Sequence, residues 1–247
     1  MSNQQTQAIE LTSDVQGAAG DCMAQPTVFC TSPLSVASRP GALVKRTVDI
    51  VAAALGLCVL SPLFAVCAMA VTWDSPGPVL FRQTRVGRYG KPFTLLKFRS
   101  MMQDADRQGL KVTAAGDPRV TGVGRWLRAT KLDELPQLLN VLRGEMSLVG
   151  PRPEVPEYVA GYDVEQRNVL NVRPGITGVA SLYYVREEDV LAGKADPDRF
   201  YKEHILPRKL EMDLAYCVSA TLATDMRVLG STIARLFWPP VSHCDPG

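Results

Sequence analysis

An apolar stretch from Val48 to Trp73 constrains the fold of this chain more than any other feature of its sequence. It reads VDIVAAALGLCVLSPLFAVCAMAVTW, and Asp49 is its only acidic or basic side chain. At the helical rise of 1.5 Å per residue, the stretch reaches about 39 Å, more than the roughly 30 Å hydrocarbon core of a bilayer. The sequence therefore predicts a membrane element.

Pro62 lies near the middle of this stretch and is preceded by Ser61. Proline removes one helical hydrogen bond and clashes with the carbonyl of Cys58, while the Ser61 hydroxyl is able to satisfy part of the freed backbone. A sharp bend is therefore predicted at Ser61-Pro62.

Basic residues flank the stretch on both sides. Lys45 and Arg46 precede it, and the basic residues that follow are Arg82, Arg85, Arg88, Lys91, Lys97 and Arg99. Because basic flanks favour the cytoplasmic side, both ends are predicted to lie there, which requires a re-entrant hairpin. A proline-kinked helix that spans the bilayer, with the N-terminal tail outside, fits these residues equally well.

Composition limits the classes of protein to which the chain can belong. Its 247 residues, 46% of them hydrophobic, are enough to bury the core of one catalytic-sized domain. The formal charge of +2 is too close to zero to predict a nucleic-acid partner. Six cysteines without metal-ligand spacing are interpreted as reduced, and the distant His204 and His243 predict neither a zinc site nor a Ser-His pair.

Short segments of strand and helix character follow the membrane stretch. Residues 79–84 and 92–100 are joined by the loop VGRYGK, which predicts a β-hairpin. Leucines at helical spacing then predict a helix that Pro136 allows to begin only near residues 130–133. Residues 209–238 have helical periodicity that is interrupted at Gly230.

Asp133 and Glu134 are therefore predicted to lie at a helix N-terminus. Unpaired backbone N–H groups and the helix dipole favour negative charge there, which predicts that Asp133 is ionised at neutral pH. Adjacent carboxylates can bind Mg²⁺, and a carboxylate can attack an electrophile. Capping is nevertheless the commoner role of such acids, and TKLD at 130–133 is similar to a capping box.

The arginines around the two acids favour a functional role for the acids over capping alone. Guanidinium groups match phosphate oxygens, so acids, Mg²⁺ and arginines together predict a site for a nucleotide diphosphate. The arginines of this set are Arg119, Arg125, Arg128, Arg152 and Arg173. Solvated surface positions are the interpretation for Arg107, Arg167 and Arg199.

Five motifs follow one another within residues 45–233. They are KRTVDI before a membrane segment broken at Ser-Pro, SPGPVLFRQTRVG, LLKFRSM, LRATKLDELPQLLNVLRGEMSLVGPRPE and RPGITG. In this order they resemble the motifs of the bacterial sugar transferases, also called monotopic phosphoglycosyl transferases. The resemblance implies a re-entrant hairpin at the bacterial inner membrane and a catalytic domain in the cytoplasm. It also implies transfer of a sugar 1-phosphate from a UDP-sugar to polyprenyl phosphate.

The resemblance assigns roles residue by residue. Asp133 is implied as the nucleophile that forms a phosphosugar intermediate with loss of UMP, and polyprenyl phosphate then attacks this intermediate. Asp133 and Glu134 are the candidate Mg²⁺ ligands, and Ser61-Pro62 matches the break of the re-entrant helix. The predicted phosphate-binding set, partly from the resemblance and partly from arginine chemistry, is Lys97, Arg99, Arg119, Arg128, Arg152 and Arg173.

Two departures from the family pattern bear on the substrate. Lys131 stands where many members have serine, and VASLYY at 179–184 replaces the common W-A-Q-V-N-G, which leaves the identity of the sugar open. Two other functions are considered: a membrane-anchored nucleotide-sugar sensor or scaffold without turnover, and a phosphohydrolase that releases UMP without a lipid acceptor.

Together these features predict an α+β fold in four parts. The parts are a disordered tail (1–40), a re-entrant membrane helix (41–73), a small, mainly helical catalytic domain with a β-hairpin (74–208), and a C-terminal amphipathic, membrane-associated helix and tail (209–247). The chain is placed with the compact family members. The expected partners are a UDP-sugar, polyprenyl phosphate, membrane lipid, a second copy in a homodimer and downstream glycosyltransferases, with no nucleic acid.

Overall fold

The structure is a computed structural model that describes residues 41–103, 105 and 112–237. The tail 1–40, predicted to be disordered, lies outside the described residues, as does His243. The described part combines helices with two small β-sheets, which confirms the predicted α+β class. This part contains three free thiols, in agreement with the prediction of reduced cysteines: Cys58, Cys67 and Cys217.

The predicted broken helix is present as α1 (Ala42–Val59) and α2 (Ser61–Asp74). Pro62 lies in the first turn of α2, where a missing N–H is tolerated, and the Ser61 hydroxyl donates to the Cys58 carbonyl at 2.8 Å. The two axes are bent by 63°. No single helix of the described residues is long and apolar enough to cross a membrane, but this bent pair meets the requirement by length and composition.

The predicted hairpin consists of β1 (Leu80–Val86) and β2 (Pro92–Phe98). The strands are antiparallel, with Leu80 opposite Phe98 and Val86 opposite Pro92. A short 3₁₀ turn, Arg88–Gly90, connects them. The hairpin is confirmed, and each strand ends within two residues of its predicted position.

Two helices and a 3₁₀ turn occupy the region of the two acids: α3 (Gly122–Ala129), the turn Leu132–Glu134, and α4 (Gln137–Arg143). The helix predicted to begin near residues 130–133 starts there as the 3₁₀ turn, and regular α-helix follows only from Gln137. Lys131 adopts a left-handed conformation with φ 57° and separates this turn from α3. We call Leu132–Glu134 the dyad turn.

The resemblance of TKLD to a capping box does not hold. The Thr130 hydroxyl donates to the Trp126 carbonyl at 2.8 Å, so it closes the end of α3 instead of opening α4. Pro136 is the residue that precedes α4, consistent with its missing N–H.

A second sheet, absent from the prediction, pairs β3 (Ser147–Val149) with β4 (Gly175–Thr177) in parallel. The backbones approach so closely that a Cβ added to Gly175 would lie 2.1 Å from the Gly150 nitrogen. This contact explains the glycine in the RPGITG loop. The connection between the strands contains α5 (Pro156–Ala160) and a 3₁₀ helix.

The C-terminal region is entirely helical in its regular elements. These are α6 (Val179–Tyr183), α7 (Glu187–Leu191), α8 (Pro197–Phe200), a π-helical turn (Tyr201–Ile205), α9 (Leu206–Ser219) and α10 (Leu222–Phe237). The helical character predicted for residues 209–238 is present in α9 and α10, with Gly230 inside α10 and a break at Ala220 and Thr221 that was not predicted.

Two apolar clusters hold these elements together. The larger cluster contains Met146, Tyr201 and Leu210, and Ala53 of α1 is part of it. In the smaller cluster, Val71 of α2 packs with Phe98 and Leu127. Both helices of the broken pair therefore pack against the part of the chain that carries the two acids.

Candidate active site

Three segments of the chain meet at the candidate site: the dyad turn, β2 and the loop that follows β3. The turn itself carries Asp133, which is buried, and Glu134, which is partly buried. Lys97 comes from β2, and Arg152 comes from the loop that follows β3. The structure thus brings together four of the predicted site residues.

Glu134 is paired with two cations. Its Oε1 accepts from Lys97 Nζ at 2.8 Å and from one Arg152 nitrogen at 2.5 Å, and its Oε2 accepts from the other at 3.3 Å. Burial opposes ionisation of Glu134, but Arg152 and Lys97 together outweigh it and hold the pKa of this carboxyl well below its usual range. Glu134 is therefore a permanent anion at neutral pH.

This pairing differs from the predicted role of Glu134 as a metal ligand. Both of its oxygens are already hydrogen-bonded to Lys97 or Arg152, so a metal ion bound there would share the carboxylate with these cations. The attraction of Glu134 also raises the pKa of the Arg152 guanidinium above its ordinary value. The structure favours Glu134 as the group that holds these two cations in place.

Asp133 has a different environment from its neighbour. Its side chain is only 5% exposed, and its Oδ1 has no hydrogen-bond partner among the described residues. Burial raises the pKa of Asp133, which outweighs the opposing effect of Lys97. The prediction that a helix N-terminus holds Asp133 ionised is thus wrong in its cause, since the residue precedes α4 and burial works in the opposite direction.

A buried carboxylate without a neutralising contact is suited to nucleophilic attack. A raised pKa makes a carboxylate more basic, and Asp133 Oδ1, which is buried and has no hydrogen-bond partner among the described residues, keeps its lone pairs uncommitted. Such an unsatisfied atom costs stability, which is expected at functional sites.

Arg128 also lies close to the dyad turn. It is held by Glu188 of α7, with contacts of 3.1 Å from Nε and 3.0 Å from a terminal nitrogen. Its charge lowers the pKa of Asp133, although burial, Lys97 and Glu134 have larger effects. Arg128 therefore contributes positive potential to the site.

Three of the predicted phosphate ligands also have structural partners. Arg99 donates to the carbonyl of Ser75 at 2.5 Å, at the end of α2, and two of its other nitrogens are buried without a partner among the described residues. Arg173 donates to the carbonyl of Gly144 at 3.0 Å, at the end of α4, where a positive charge is favourable. These contacts close helix ends, and phosphate binding by Arg99 and Arg173 stays a prediction.

Arg119 is the third of these arginines. It is buried and forms an ion pair with Asp117 at 2.7 Å. It also donates to the carbonyl of Ala105 at 3.2 Å. The structure therefore places Arg119 in the support of its own loop and not at the dyad turn.

Sequence reasoning missed the residues that position Arg152. Arg85 donates to the Pro153 carbonyl at 3.0 Å, and the Tyr201 hydroxyl donates to Glu154 at 2.6 Å. These contacts fix the Pro-Arg-Pro-Glu loop from both sides. Glu154 belongs to the motif GPRPE and could have been identified from it. Tyr201 lies outside all of the motifs, so nothing in the sequence indicates its role.

Both outer ends of the broken helix pair are attached to the same part of the chain. Near the start of α1, Lys45 forms an ion pair with Asp225 of α10 at 2.6 Å. At the end of α2, Asp74 accepts from the backbone nitrogen of Val123 at 3.0 Å, at the N-terminus of α3. The helix pair is thus joined directly to the elements that carry the dyad turn.

Known proteins are similar to this chain over most of its length. Residues 41–239 match the sequence model of the family described as bacterial sugar transferase. The chain is 37% identical to the UDP-glucose:undecaprenyl-phosphate glucose-1-phosphate transferase of Caulobacter vibrioides, over 93% of this chain and 86% of that protein. It is 38% identical to the exopolysaccharide production protein PSS of Rhizobium leguminosarum bv. phaseoli, over 77% and 94%.

Some relatives are considerably longer. The UDP-N-acetylgalactosamine-undecaprenyl-phosphate N-acetylgalactosaminephosphotransferase of Aeromonas hydrophila is 39% identical over 79% of this chain, which corresponds to 44% of that protein. The family match and the extent of these identities show that the chain belongs to the bacterial sugar transferase family.

Proposed function

We propose that the chain transfers a sugar 1-phosphate from a UDP-sugar to polyprenyl phosphate, with undecaprenyl phosphate as the acceptor. The products are UMP and a polyprenyl-diphosphate sugar, which begins the assembly of a bacterial surface glycan such as an exopolysaccharide, O-antigen, capsule or glycoprotein glycan. The observation that carries the proposal is the buried Asp133, whose Oδ1 has no partner among the described residues.

The proposed reaction has two steps at one phosphorus atom. Asp133 attacks the phosphorus that carries the sugar, and the bond to the other phosphate breaks, so that UMP leaves with the electron pair. An oxygen of polyprenyl phosphate then attacks the same phosphorus, and the bond to Asp133 breaks. The carboxylate is regenerated, and neither step requires a net proton transfer.

Lys97 and Arg152 provide the positive charge for this chemistry. Glu134 holds both side chains by hydrogen bonds, which limits their motion before the substrate arrives. Such preorganised donors stabilise the charge that develops on phosphate oxygens more effectively than mobile ones. Glu134 therefore acts through the two cations that it positions.

Mg²⁺ is the proposed cofactor, and the residues present fit it in part. The unpartnered Asp133 Oδ1 offers one oxygen, whereas both oxygens of Glu134 are paired. The described residues contain no cluster of three or more side chains able to hold a metal ion. Mg²⁺ commonly completes its coordination with substrate phosphates and water, and when bound it neutralises diphosphate charge.

We further propose that the broken helix pair is re-entrant at the bacterial cytoplasmic membrane. With 18 and 14 residues, the helices are about 27 and 21 Å long, and a bend of 63° then places Leu60 about 12 Å from the line joining their outer ends. This depth is smaller than half of a hydrocarbon core of about 30 Å. The attachment of both ends to one body supports a cytoplasmic location for both.

Cysteine labelling tests this topology. In a chain whose native cysteines are replaced by serine, Leu43→Cys at the start of α1 and Lys91→Cys in the hairpin loop should react only from the cytoplasmic side. Labelling of Leu43→Cys from the periplasm would instead establish a spanning helix. Pro62→Ala is expected to straighten the pair and increase periplasmic labelling at position 43.

The activity is tested with UDP-glucose and UDP-N-acetylgalactosamine, each with Mg²⁺ and with or without polyprenyl phosphate. The proposal predicts a lipid-linked product and sustained UMP release that depends on the acceptor. Sustained UMP release without acceptor would indicate a phosphohydrolase. Binding of a UDP-sugar with neither product nor UMP would indicate a sensor or scaffold.

A further inference from the structure

Lys131 has an unusual backbone conformation directly before the dyad turn. Its φ of 57° makes it one of two non-glycine residues with positive φ among the described residues, the other being Tyr89. The conformation links α3 to the dyad turn, because the Lys131 N–H donates to the Arg128 carbonyl at 3.1 Å and its carbonyl accepts from Glu134 N–H at 3.2 Å. Glycine or asparagine adopts this conformation more readily than lysine does.

Lys131 is also the uncommitted cation near the two acids. Lys97 and Arg152 are paired with Glu134, and Arg128 is paired with Glu188. The Lys131 side chain is exposed and has no hydrogen bond or ion pair to any residue that the structure describes. Only Leu132 separates Lys131 from Asp133 in the chain, and the Lys131 carbonyl is bonded to the Glu134 N–H, so the residue adjoins both acids.

The position of Lys131 relative to α2 indicates which substrate it meets. The next residue, Leu132, packs against the cluster that contains Val71 of α2. The preceding helix, α3, is joined to the end of α2 through Asp74. Lys131 is thus flanked in sequence by two segments that contact α2, the proposed membrane helix, and it precedes the nucleophile by two residues. An acceptor whose hydrocarbon chain stays in the membrane would approach the dyad turn from α2.

We propose that Lys131 binds the phosphate of polyprenyl phosphate and guides it to the intermediate on Asp133. This inference rests on the proposed function and adds a residue specific to the second substrate. A terminal monophosphate suits an ammonium group, which is a compact charge with three rotatable donors. Arg152 and Lys97, already fixed by Glu134, remain with the donor diphosphate.

Two substitutions separate the charge of Lys131 from its backbone conformation. Lys131→Asn removes the charge but tolerates positive φ, so the dyad turn should keep its shape. Lys131→Arg keeps the charge. Lys91→Asn is the control, because Lys91 is another exposed lysine near a tight turn and lies in the hairpin loop, away from the dyad turn.

Kinetics with both substrates varied provide the test. Loss of a charge-assisted phosphate contact should raise the KM for polyprenyl phosphate about tenfold in Lys131→Asn, with the KM for the UDP-sugar changed less than about twofold. Lys131→Arg should restore most of the acceptor KM, and Lys91→Asn should match the unmodified chain. An unchanged acceptor KM, or an equal rise in both KM values, would overturn the proposal.

A second measurement distinguishes the acceptor from ordinary anionic lipid. Each variant is assayed in phosphatidylcholine vesicles with and without phosphatidylglycerol, and vesicle binding is measured in parallel. The proposal predicts the same acceptor defect in both kinds of vesicle. A defect confined to phosphatidylglycerol vesicles and accompanied by weaker vesicle binding would assign Lys131 to bulk lipid and overturn the proposal.

Direct binding keeps this inference separate from the proposed function. Polyprenyl phosphate without a UDP-sugar should raise the Tm of the unmodified chain more than that of Lys131→Asn. If no UDP-sugar yields UMP, the proposed function fails while this difference still supports the role of Lys131. Equal Tm shifts in the two proteins overturn that role even if turnover is normal.

Discussion

Two regions of the molecule place buried acids in different chemical surroundings. In the region that attaches α1, both oxygens of Asp49 have partners: the Ser147 hydroxyl at 2.8 Å and the Leu148 backbone nitrogen at 3.2 Å. At the dyad turn, Asp133 is equally buried, but its Oδ1 has none among the described residues. A fully satisfied acid contributes to stability, whereas an unsatisfied one is retained at a cost.

The same contrast between a paired and an unpaired acid exists within the dyad turn. Glu134 is saturated with contacts from Lys97 and Arg152, while its neighbour Asp133 has a free oxygen. Under the proposed function, the two adjacent acids have separate tasks: Glu134 organises the cations, and Asp133 reacts. The comparison predicts that substitutions in the two regions will affect activity and stability in opposite ways.

The largest expected effect is on Asp133. Asp133→Asn should reduce transfer by at least about a thousandfold and abolish the covalent phosphosugar adduct, because a neutral amide cannot form the acyl phosphate. Its Tm should stay the same or rise, since the buried unsatisfied charge is removed. Intact-mass measurement after UDP-sugar addition, together with thermal unfolding, reads out both effects. An adduct on the Asn variant would return Asp133 to a structural role.

A smaller loss of activity is expected at Arg152. Arg152→Lys keeps the charge but cannot contact both oxygens of Glu134, so kcat/KM should fall about 10- to 100-fold. Arg199→Lys is the matched control, because Arg199 is highly exposed and pairs only with Glu203 on the surface. If the two variants had equal activity, the paired contact at Glu134 would have no catalytic consequence.

A substitution of Glu134 tests whether this residue acts through Lys97 and Arg152 or as a metal ligand. Glu134→Gln removes the charge that holds Lys97 and Arg152, so turnover should fall while Asp133 still forms the adduct. Because the structure assigns Glu134 to the cations, extra Mg²⁺ should not restore the rate. Recovery at high Mg²⁺ would instead support the metal-ligand role predicted from the sequence.

Asp49, whose two oxygens both have partners, should show the reverse pattern: a loss of stability with little change in activity. Asp49→Asn weakens the contacts to Ser147 and Leu148 and should lower the free energy of unfolding by about 1–2 kcal/mol. The kcat/KM of the folded enzyme should change less than about threefold, because Asp49 lies at the attachment of α1. Thermal unfolding and kinetics on the same preparation measure the two quantities. A large fall in kcat/KM without loss of stability would contradict the division between the regions.

The sequence predicted best those features that depend on local chemistry. The break at Ser61-Pro62 follows from the proline ring and the neighbouring hydroxyl, and the hairpin follows from two apolar runs around a turn. The separation of the dyad turn from α3 was not predicted, because Lys131 occupies a left-handed conformation that is usually signalled by glycine. The sheet of β3 and β4 was missed because strands of three residues are too short to have a recognisable alternation.

The candidate site was predicted only in part, because the contacts of an arginine and the burial of an acid depend on the tertiary structure. The motifs located Asp133 and Glu134, and the structure brings Lys97 and Arg152 to them. Sequence chemistry does not distinguish an arginine that binds phosphate from one that closes a helix end, so the carbonyl contacts of Arg99 and Arg173 could not be predicted. Burial is a tertiary property, and the opposite pKa shifts of the two acids therefore could not be read from adjacent positions.

The smallest expected effect concerns Asp213 of α9, a third buried acid. It accepts the backbone N–H of Ala180, but its Oδ1 has no hydrogen-bond partner among the described residues. Burial raises its pKa to about 7, with a further increase from Glu154 and an opposing effect of Lys209. Asp213 thus resembles Asp133 in its surroundings without belonging to the dyad turn.

Asp213→Asn tests whether such an unsatisfied acid destabilises the fold when it ionises. The folded pKa lies above the unfolded value of about 3.9, so the protonated form stabilises the fold fully below that value, and this contribution is lost as the pH rises through about 7. The amide stays neutral and retains an acceptor for Ala180. The Tm of the variant should therefore approach that of the unmodified chain near pH 4 and exceed it by a few degrees at pH 8. A Tm difference independent of pH would mean that Asp213 does not ionise in this range, and that the cost of an unsatisfied acid is confined to the dyad turn.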